Sequence, residues 1–187
     1  MGRVICAGLG PGDPDLMSLR AARAIGEARH VAYFRKAGRA GQARRIVEGM
    51  LSPTAVEYPM EYPVTTELPF DSPEYTEALA RFYDDWANRL ATLAATEDVL
   101  VLCEGDPFFY GSYMYLHDRL AGQYDVEVVP GVCSMLGCAS VLGTPLVFWL
   151  GRMLGDRLVG VRPFEPVVVG AVAAVIALTG IVASAVP

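Results

Sequence analysis

The fold is decided by residues 3–14, Arg3-Val4-Ile5-Cys6-Ala7-Gly8-Leu9-Gly10-Pro11-Gly12-Asp13-Pro14. An apolar run followed by a glycine-rich turn predicts a short strand that ends in a loop. Asp13 is of a residue type that caps helices, and proline is well tolerated at the first position of a helix. Because apolar residues then recur at helical spacing, the sequence predicts an amphipathic helix over 14–28.

The same alternation of strand and helix continues to about residue 142. Strands that alternate with helices predict an α/β fold with a largely parallel sheet flanked by helices. In such folds ligands bind beyond the carboxyl ends of the strands, so we expect a crevice where the three glycine-bearing turns 8–14, 104–111 and 130–134 meet. The further predicted strands are 30–34, 55–58, 98–103 and 126–129, and the further predicted helices are 42–50, 74–96, 110–120 and 134–142.

The composition divides the chain into two parts. The 187 residues have a net charge of −6, and 53% of them are hydrophobic, which excludes a disordered chain and argues against a nucleic-acid groove. Residues 1–147 carry 12 Lys/Arg against 19 Asp/Glu, a balance of −7, whereas residues 148–187 carry 3 against 2, a balance of +1. The first part is typical of a soluble domain, and without a signal-like start we expect it in the cytoplasm.

The cysteines and histidines do not predict a metal site. A zinc site would need cysteines to join the two histidines, and the cysteines stand among apolar residues. Buried free thiols are the prediction for them. No two of the four cysteines form a Cys-x-x-Cys pair: Cys6, Cys103, Cys133 and Cys138.

The first glycine turn does not fit the two common phosphate-binding motifs. The dinucleotide fingerprint needs its third glycine where Asp13 stands. The P-loop needs a lysine, and Lys36 is the only lysine of the chain. The segment is therefore either a tight turn that leads into a capped helix or part of a different kind of binding site.

Read together, the three turns resemble the tetrapyrrole methylase family in order and spacing over residues 3–147. The resemblance is carried by Gly8–Pro14, by Glu104-Gly105-Asp106-Pro107-Phe108-Phe109-Tyr110-Gly111, and by Val129-Pro130-Gly131-Val132-Cys133-Ser134. Within the family, Tyr33–Gly38 and Gly111–Leu116 are most similar to the members that methylate precorrin-2 at C20.

The resemblance implies S-adenosylmethionine-dependent C-methylation of precorrin-2 or cobalt-precorrin-2 in cobalamin biosynthesis. Members of the family have two α/β domains, bind the methyl donor between them and usually form homodimers. Another tetrapyrrole methylase, acting in siroheme formation or at a later corrin step, is the alternative. Carried over by motif, the donor-binding residues are Pro11, Glu104, Gly105, Asp106, Phe109, Cys133 and Ser134.

The chemistry needs few side chains, because a sulfonium methyl group is already activated and the enzyme mainly has to align donor and acceptor. The sequence shows no catalytic triad, and we assign no catalytic residue. Asp106 is either a polar anchor for the cationic donor or a helix N-cap.

The acceptor of such a reaction carries many carboxylates, which guanidinium groups bind in a bidentate manner. Arg35, Lys36 and Arg39, with Arg44 and Arg45 beside them, form the dense basic cluster of the chain. They either bind the substrate, Arg35 first, or form a solvated face. Three tyrosines in and just after the second turn either border the flat macrocycle or pack in the core: Tyr110, Tyr113 and Tyr115.

The composition changes from Phe148. We divide this part into a linker, 148–166, and an apolar segment, 167–186, which holds 20 residues without a charge. As a helix the segment would span about 30 Å, the thickness of a bilayer core, so it predicts a transmembrane helix with its arginine-bearing side in the cytoplasm.

This tail resembles the last membrane segment of an ABC-transporter permease. The resemblance suggests a chimera that is joined near residues 147–149, with the family's second domain replaced by an apolar helix. We therefore expect impaired methyltransferase activity, and a membrane-attached binding protein without catalysis is a further alternative.

Overall fold

Five short apolar segments form one parallel sheet, which confirms the predicted α/β class. In the computed structural model, which describes residues 2–65, 67–69 and 71–142, the strand order is β3-β2-β4-β1-β5. All neighbouring strands run parallel. The strands are β1 (Val4–Gly8), β2 (His30–Arg35), β3 (Val56–Glu61), β4 (Val99–Cys103) and β5 (Val126–Val129).

Two pairs of helices cover the two faces of this sheet. Alternate strand residues point to opposite faces, so Ala7 and Leu102 pack with α1 and α2, whereas Cys6 and Val101 pack with α3 and α4. The buried strands are apolar on both faces, as a sheet covered on both sides requires. The helices are α1 (Leu19–Glu27), α2 (Gln42–Ile46), α3 (Pro73–Ala94), α4 (Tyr113–Leu120) and α5 (Ser134–Leu142).

The connections reverse direction between β1 and β4. The chain leaves β1 toward one face through α1, and it leaves β4 toward the other face through α4. Since β1 and β4 are neighbours, their outgoing loops separate at the carboxyl edge and leave a crevice between them. This is the edge at which the three glycine turns were expected to meet.

The first helix begins later than the spacing predicts. Pro14–Leu16 form a 3-10 turn that Asp13 caps by accepting from the Asp15 N–H at 3.0 Å. The α-helix starts only at Leu19, because the Ser18 hydroxyl caps it by accepting from the Ala21 N–H. Leu19 is 80% exposed, so this apolar position belongs to the surface rather than to the core.

The third strand extends beyond its predicted end. The sequence predicts a strand over 55–58 followed by a loop, because prolines follow; β3 instead continues through Pro59 to Glu61. Proline is tolerated there because β3 lies at the edge of the sheet. The extension brings Glu61 opposite Arg35 in the register of β2 and β3.

Residues 1–137 form one compact unit, to which the site described below belongs. In the described part of the chain, no helix is long and apolar enough to cross a membrane. The predicted linker, 148–166, and the predicted transmembrane helix, 167–186, lie outside the described residues.

Candidate functional site

Backbone hydrogen bonds join the loops that follow β1 and β4. The Gly105 N–H donates to the Gly10 carbonyl at 2.8 Å, and the Gly10 N–H donates to the Gly105 carbonyl at 3.2 Å. Just before this pair, the Leu9 N–H donates to the Cys103 carbonyl at 2.9 Å. These hydrogen bonds therefore hold the two loops together where they leave the sheet.

Glycine is required where the loop after β5 joins them. A Cβ on Gly131 would stand 2.1 Å from the Gly105 carbonyl oxygen, and one on Gly8 would stand 2.6 Å from the Gly131 nitrogen. Gly105 also has a φ of +62°, in the left-handed region that favours glycine. These contacts explain why each of the three turns carries a glycine at this edge.

Asp106 ties the second loop to the third. Its Oδ1 accepts from the Phe108 N–H at 2.9 Å, and its Oδ2 accepts from the Gly131 N–H at 3.0 Å. The helix N-cap alternative was wrong, since α4 begins after Ser112. The carboxylate instead holds its own turn and bridges two strands' loops, a role that the sequence did not reveal.

Most of the other predicted donor residues gather around the same loops. The Pro11 ring packs against Gly137, where an added Cβ would come within 2.7 Å of it. The Cys133 carbonyl accepts from the Leu136 and Gly137 N–H groups at the start of α5, next to the exposed Ser134.

Phe109 lies farther along the second loop. It is partly exposed, and its ring meets the edge of Tyr110 at 5.1 Å between centroids.

A cavity of about 410 Å³ opens beside these loops, at the carboxyl ends of β2 and β4. It brings Arg35, Lys36 and Arg39 together with Glu104, so one predicted donor residue faces the predicted substrate residues. Tyr62 and Ser112 complete the polar part of the wall.

Three residues of the basic cluster line the cavity, and the other two do not. Arg35 pairs with Glu61 at 2.8 Å, and its buried Nε has no hydrogen-bond partner among the described residues. Lys36 lies 3.6 Å from Glu67, and Arg39 is exposed without an ion-pair partner in the described part of the chain.

The other two arginines lie outside the cavity. Arg44 forms a bidentate pair with Glu57 at 2.7 and 3.0 Å, so its guanidinium is occupied by the protein itself. Arg45 is exposed and does not line the cavity. The hypothesis of carboxylate binding is therefore narrowed to Arg35, Lys36 and Arg39.

Only one of the three candidate tyrosines borders the cavity. Tyr110 lines it, with 90% of its surface exposed and a φ of +55°. Tyr113 is fully buried, and burial raises the pKa of its hydroxyl. Tyr115 stacks on Tyr83 at 4.9 Å between the two rings.

Sequence reasoning missed Tyr62 and Ser112. The Tyr62 hydroxyl donates to the Ser112 Oγ at 2.5 Å, which joins the segment after β3 to the start of α4. Burial raises the pKa of Tyr62, so the hydroxyl stays protonated and keeps donating. Tyr62 stands in a proline-rich stretch that gave no signal of a site.

The carboxyl of Glu104 has a perturbed pKa. Glu104 is exposed at the surface of the cavity, but partial desolvation of its carboxyl raises the pKa above the ordinary value, and a hydrogen bond from the Ala43 backbone N–H partly opposes this rise. Among the described residues Glu104 makes no ion pair, although three cations line the same cavity.

Apolar side chains are exposed around the three loops. This exposure is concentrated after β4 and β5, where a ligand or another part of a protein would cover it. These residues are Phe108, Phe109, Tyr110, Val132, Met135 and Leu136.

The chain is similar to enzymes that methylate tetrapyrroles. Residues 3–151 match the family described as Tetrapyrrole (Corrin/Porphyrin) Methylases. The precorrin-2 C(20)-methyltransferase of Sinorhizobium sp. is 49% identical over 164 residues, which cover 87% of this chain and 64% of that enzyme. The cobalamin biosynthesis protein CobIJ of Mycobacterium bovis is 45% identical over 157 residues, or 83% of this chain and 30% of that protein.

A solved structure shows the same similarity. The uroporphyrin-III C-methyl transferase of Thermus thermophilus, in complex with S-adenosylhomocysteine, superposes with a TM-score of 0.50 and 26% identity. The match covers 75% of this chain and 48% of that one. The chain thus spans less than two thirds of these relatives' own lengths.

Proposed function

The chain belongs to the tetrapyrrole methylase family, and we propose that it takes part in the S-adenosylmethionine-dependent methylation of precorrin-2, or cobalt-precorrin-2, at C20. This step belongs to cobalamin biosynthesis. The observation that carries the proposal is that the three hydrogen-bonded glycine loops lie directly beside a cavity. This cavity is lined by the cationic side chains of Arg35, Lys36 and Arg39. Donor and acceptor would then meet at the carboxyl edge of the sheet.

The residues of the loops fit the methyl donor. The donor combines apolar and aromatic parts with a positive charge, and the loops offer exposed apolar side chains together with the carboxylate of Asp106. When bound, the donor supplies a methyl group already activated on a sulfonium. The residues that would hold it are Pro11, Glu104, Gly105, Asp106, Phe109, Cys133 and Ser134.

The cavity fits a substrate with several carboxylates. Arg35 lines the cavity and pairs with Glu61 at its edge, and Arg39 makes no ion pair among the described residues. Charge-assisted hydrogen bonds from guanidinium groups to carboxylates are strong and directional, so these arginines would orient the macrocycle as well as bind it. Tyr110 would border the flat ring.

Binding and transfer can be measured separately on the full chain. We expect S-adenosylhomocysteine to bind by isothermal titration calorimetry, and the methyl group of isotopically labelled S-adenosylmethionine to appear at C20 of precorrin-2 by NMR. Donor binding without any tetrapyrrole binding would contradict the proposal. Methylation at another carbon would favour the alternative, a siroheme or later corrin methylase.

Homodimer formation is proposed from the family alone. Light scattering on the eluted protein tests it, and a single mass equal to one chain over a range of protein concentrations would contradict it.

The tail carries a separate proposal, attachment to a membrane through 167–186. Its support is the run of 20 uncharged residues and the weaker likeness to a permease segment. The family match reaches residue 151 and so runs past the suggested junction at 147–149. Sequencing single DNA molecules across codons 130–187 tests the chimera. Recovery of the full chain from the cytoplasmic fraction after cell lysis, with none in the membrane pellet, would contradict attachment.

A further inference from the structure

Methylation of a ring carbon leaves a proton to be removed. The carbon that receives the methyl group must lose its hydrogen if the conjugation of the ring is to be restored. A carboxylate near the acceptor is a suitable group to take this proton, since general bases act from within hydrogen-bond reach.

Of the described residues that line the cavity, Glu104 is the one that carries a carboxylate. Glu61 is paired with Arg35, and both oxygens of Asp106 accept backbone N–H bonds. Glu104 lines the cavity, and no ion pair with a described residue engages it. It also follows β4 directly, so a strand of the sheet fixes its backbone.

We propose that Glu104 is the base that accepts the proton lost from the methylated carbon. In this step the carbon–sulfur bond of the donor breaks and its electron pair stays on sulfur, while ring electrons form the new carbon–carbon bond. The carbon–hydrogen bond then breaks, its electrons return to the ring and its proton passes to a carboxylate oxygen of Glu104. The proposal rests on the proposed function.

The surroundings of Glu104 suit this role. Partial desolvation of its carboxyl raises the pKa of Glu104, which favours acceptance of a proton. A hydrogen bond from the Ala43 N–H favours the ionised form that is needed at the start. The titratable and charged groups that face it are Arg35, Lys36, Arg39, Tyr62, Cys103 and Tyr110.

The first test compares Glu104→Gln with the wild type and with Glu77→Gln, a matched change on the outer face of α3. We expect Glu104→Gln to lower kcat about 100-fold at saturating S-adenosylmethionine, beyond any loss of donor affinity, which titration with S-adenosylhomocysteine measures separately. In the wild type, kcat should fall as the pH falls through the raised pKa of Glu104, and this acid limb should be absent from Glu104→Gln. Glu104→Asp should restore the limb.

The second test needs no methyl donor. With S-adenosylhomocysteine bound in D₂O, the wild type should exchange the C20 hydrogen of precorrin-2 faster than the uncatalysed rate, and Glu104→Gln should not. A variant that loses donor affinity but keeps kcat at saturation, or that keeps the acid limb or the exchange, would overturn the proposal. If the wild type binds both ligands and transfers the methyl group without catalysing exchange, the base proposal fails alone; if it binds neither ligand, the proposed function fails.

Discussion

At the amino ends of the strands, ion pairs join charged side chains from separate elements, whereas at the carboxyl ends hydrogen bonds that involve the backbone join the loops. Arg3, before β1, pairs with Asp98 and with Glu127, both at 2.7 Å. Arg20 on α1 approaches the same Glu127 to 2.6 Å. The amino edge thus uses charge to hold β1, β4, β5 and α1 together.

At the carboxyl edge Arg35 and Glu61 form an ion pair between β2 and β3, but the loops after β1, β4 and β5 are joined mainly through the backbone. These loops are joined by hydrogen bonds between Gly10 and Gly105 and by the bond from Gly131 to Asp106. Because these links occupy few side chains, Arg39 and Glu104 stay available to a ligand. Side-chain ion pairs therefore stabilise the amino edge of the sheet. At the carboxyl edge, backbone hydrogen bonds at glycines stabilise the loops, and this arrangement leaves side chains available to bind a ligand.

The largest effect is expected where a side chain would enter the glycine contacts. Gly131→Ala should destabilise the chain by about 3 kcal/mol, because its Cβ would overlap the Gly105 carbonyl. It should also abolish S-adenosylhomocysteine binding. Urea unfolding followed by circular dichroism and calorimetry measure the two effects. Gly26→Ala in α1, where a Cβ meets nothing within 4 Å, is the control and should be neutral or stabilising. Equal free energies of unfolding and equal S-adenosylhomocysteine binding in the two variants would show that the glycine contacts do not hold the carboxyl-edge loops.

A smaller effect is expected for the one side chain that joins two of these loops. Asp106→Ala should lower the free energy of unfolding by about 2 kcal/mol, since two backbone N–H groups lose a charged acceptor. Donor affinity should fall as well, because the loop after β5 is no longer held to the loop after β4. The same measurements on Asp118→Ala, an exposed position on α4, give the control. Unchanged donor affinity in Asp106→Ala would show that the loops are positioned by the glycines alone.

The sequence predicted those elements and turns whose positions depend on residues that are close together in the chain. The bounds of β5 and α5 and the convergence of the glycine turns follow from apolar runs, turn residues and the parallel topology. The division of the arginines does not, because it depends on packing: Arg35 on β2 lines the cavity, whereas Arg44 on α2 pairs with Glu57 on β3. The bond between Tyr62 and Ser112 joins residues 50 positions apart, which no local pattern encodes.

The next variant changes the charge of the cavity without touching the fold. Arg39→Gln should leave the free energy of unfolding unchanged, because its side chain is exposed and makes no ion pair with the described residues. It should weaken precorrin-2 binding about tenfold, the loss expected for one charge-assisted hydrogen bond. Fluorescence titration of the bound tetrapyrrole measures it. Arg45→Gln makes the same charge change outside the cavity, so an equal loss in both variants would mean that only the overall charge matters.

The smallest effect is expected at the amino edge, where removing a charge should affect stability but not binding. Glu127→Gln keeps the shape of the side chain and breaks its pairs with Arg3 and Arg20. Because the two arginines are largely exposed, the free energy of unfolding should fall by about 1 kcal/mol or less. The difference from the wild type should shrink in 1 M salt, where charges are screened over about 3 Å. Donor and tetrapyrrole affinities should stay unchanged, because Glu127 stands at the far end of the sheet from the cavity. A loss of affinity in Glu127→Gln would mean that the amino-edge pairs also set the geometry of the loops, and the two edges would then have to be treated as one coupled structure.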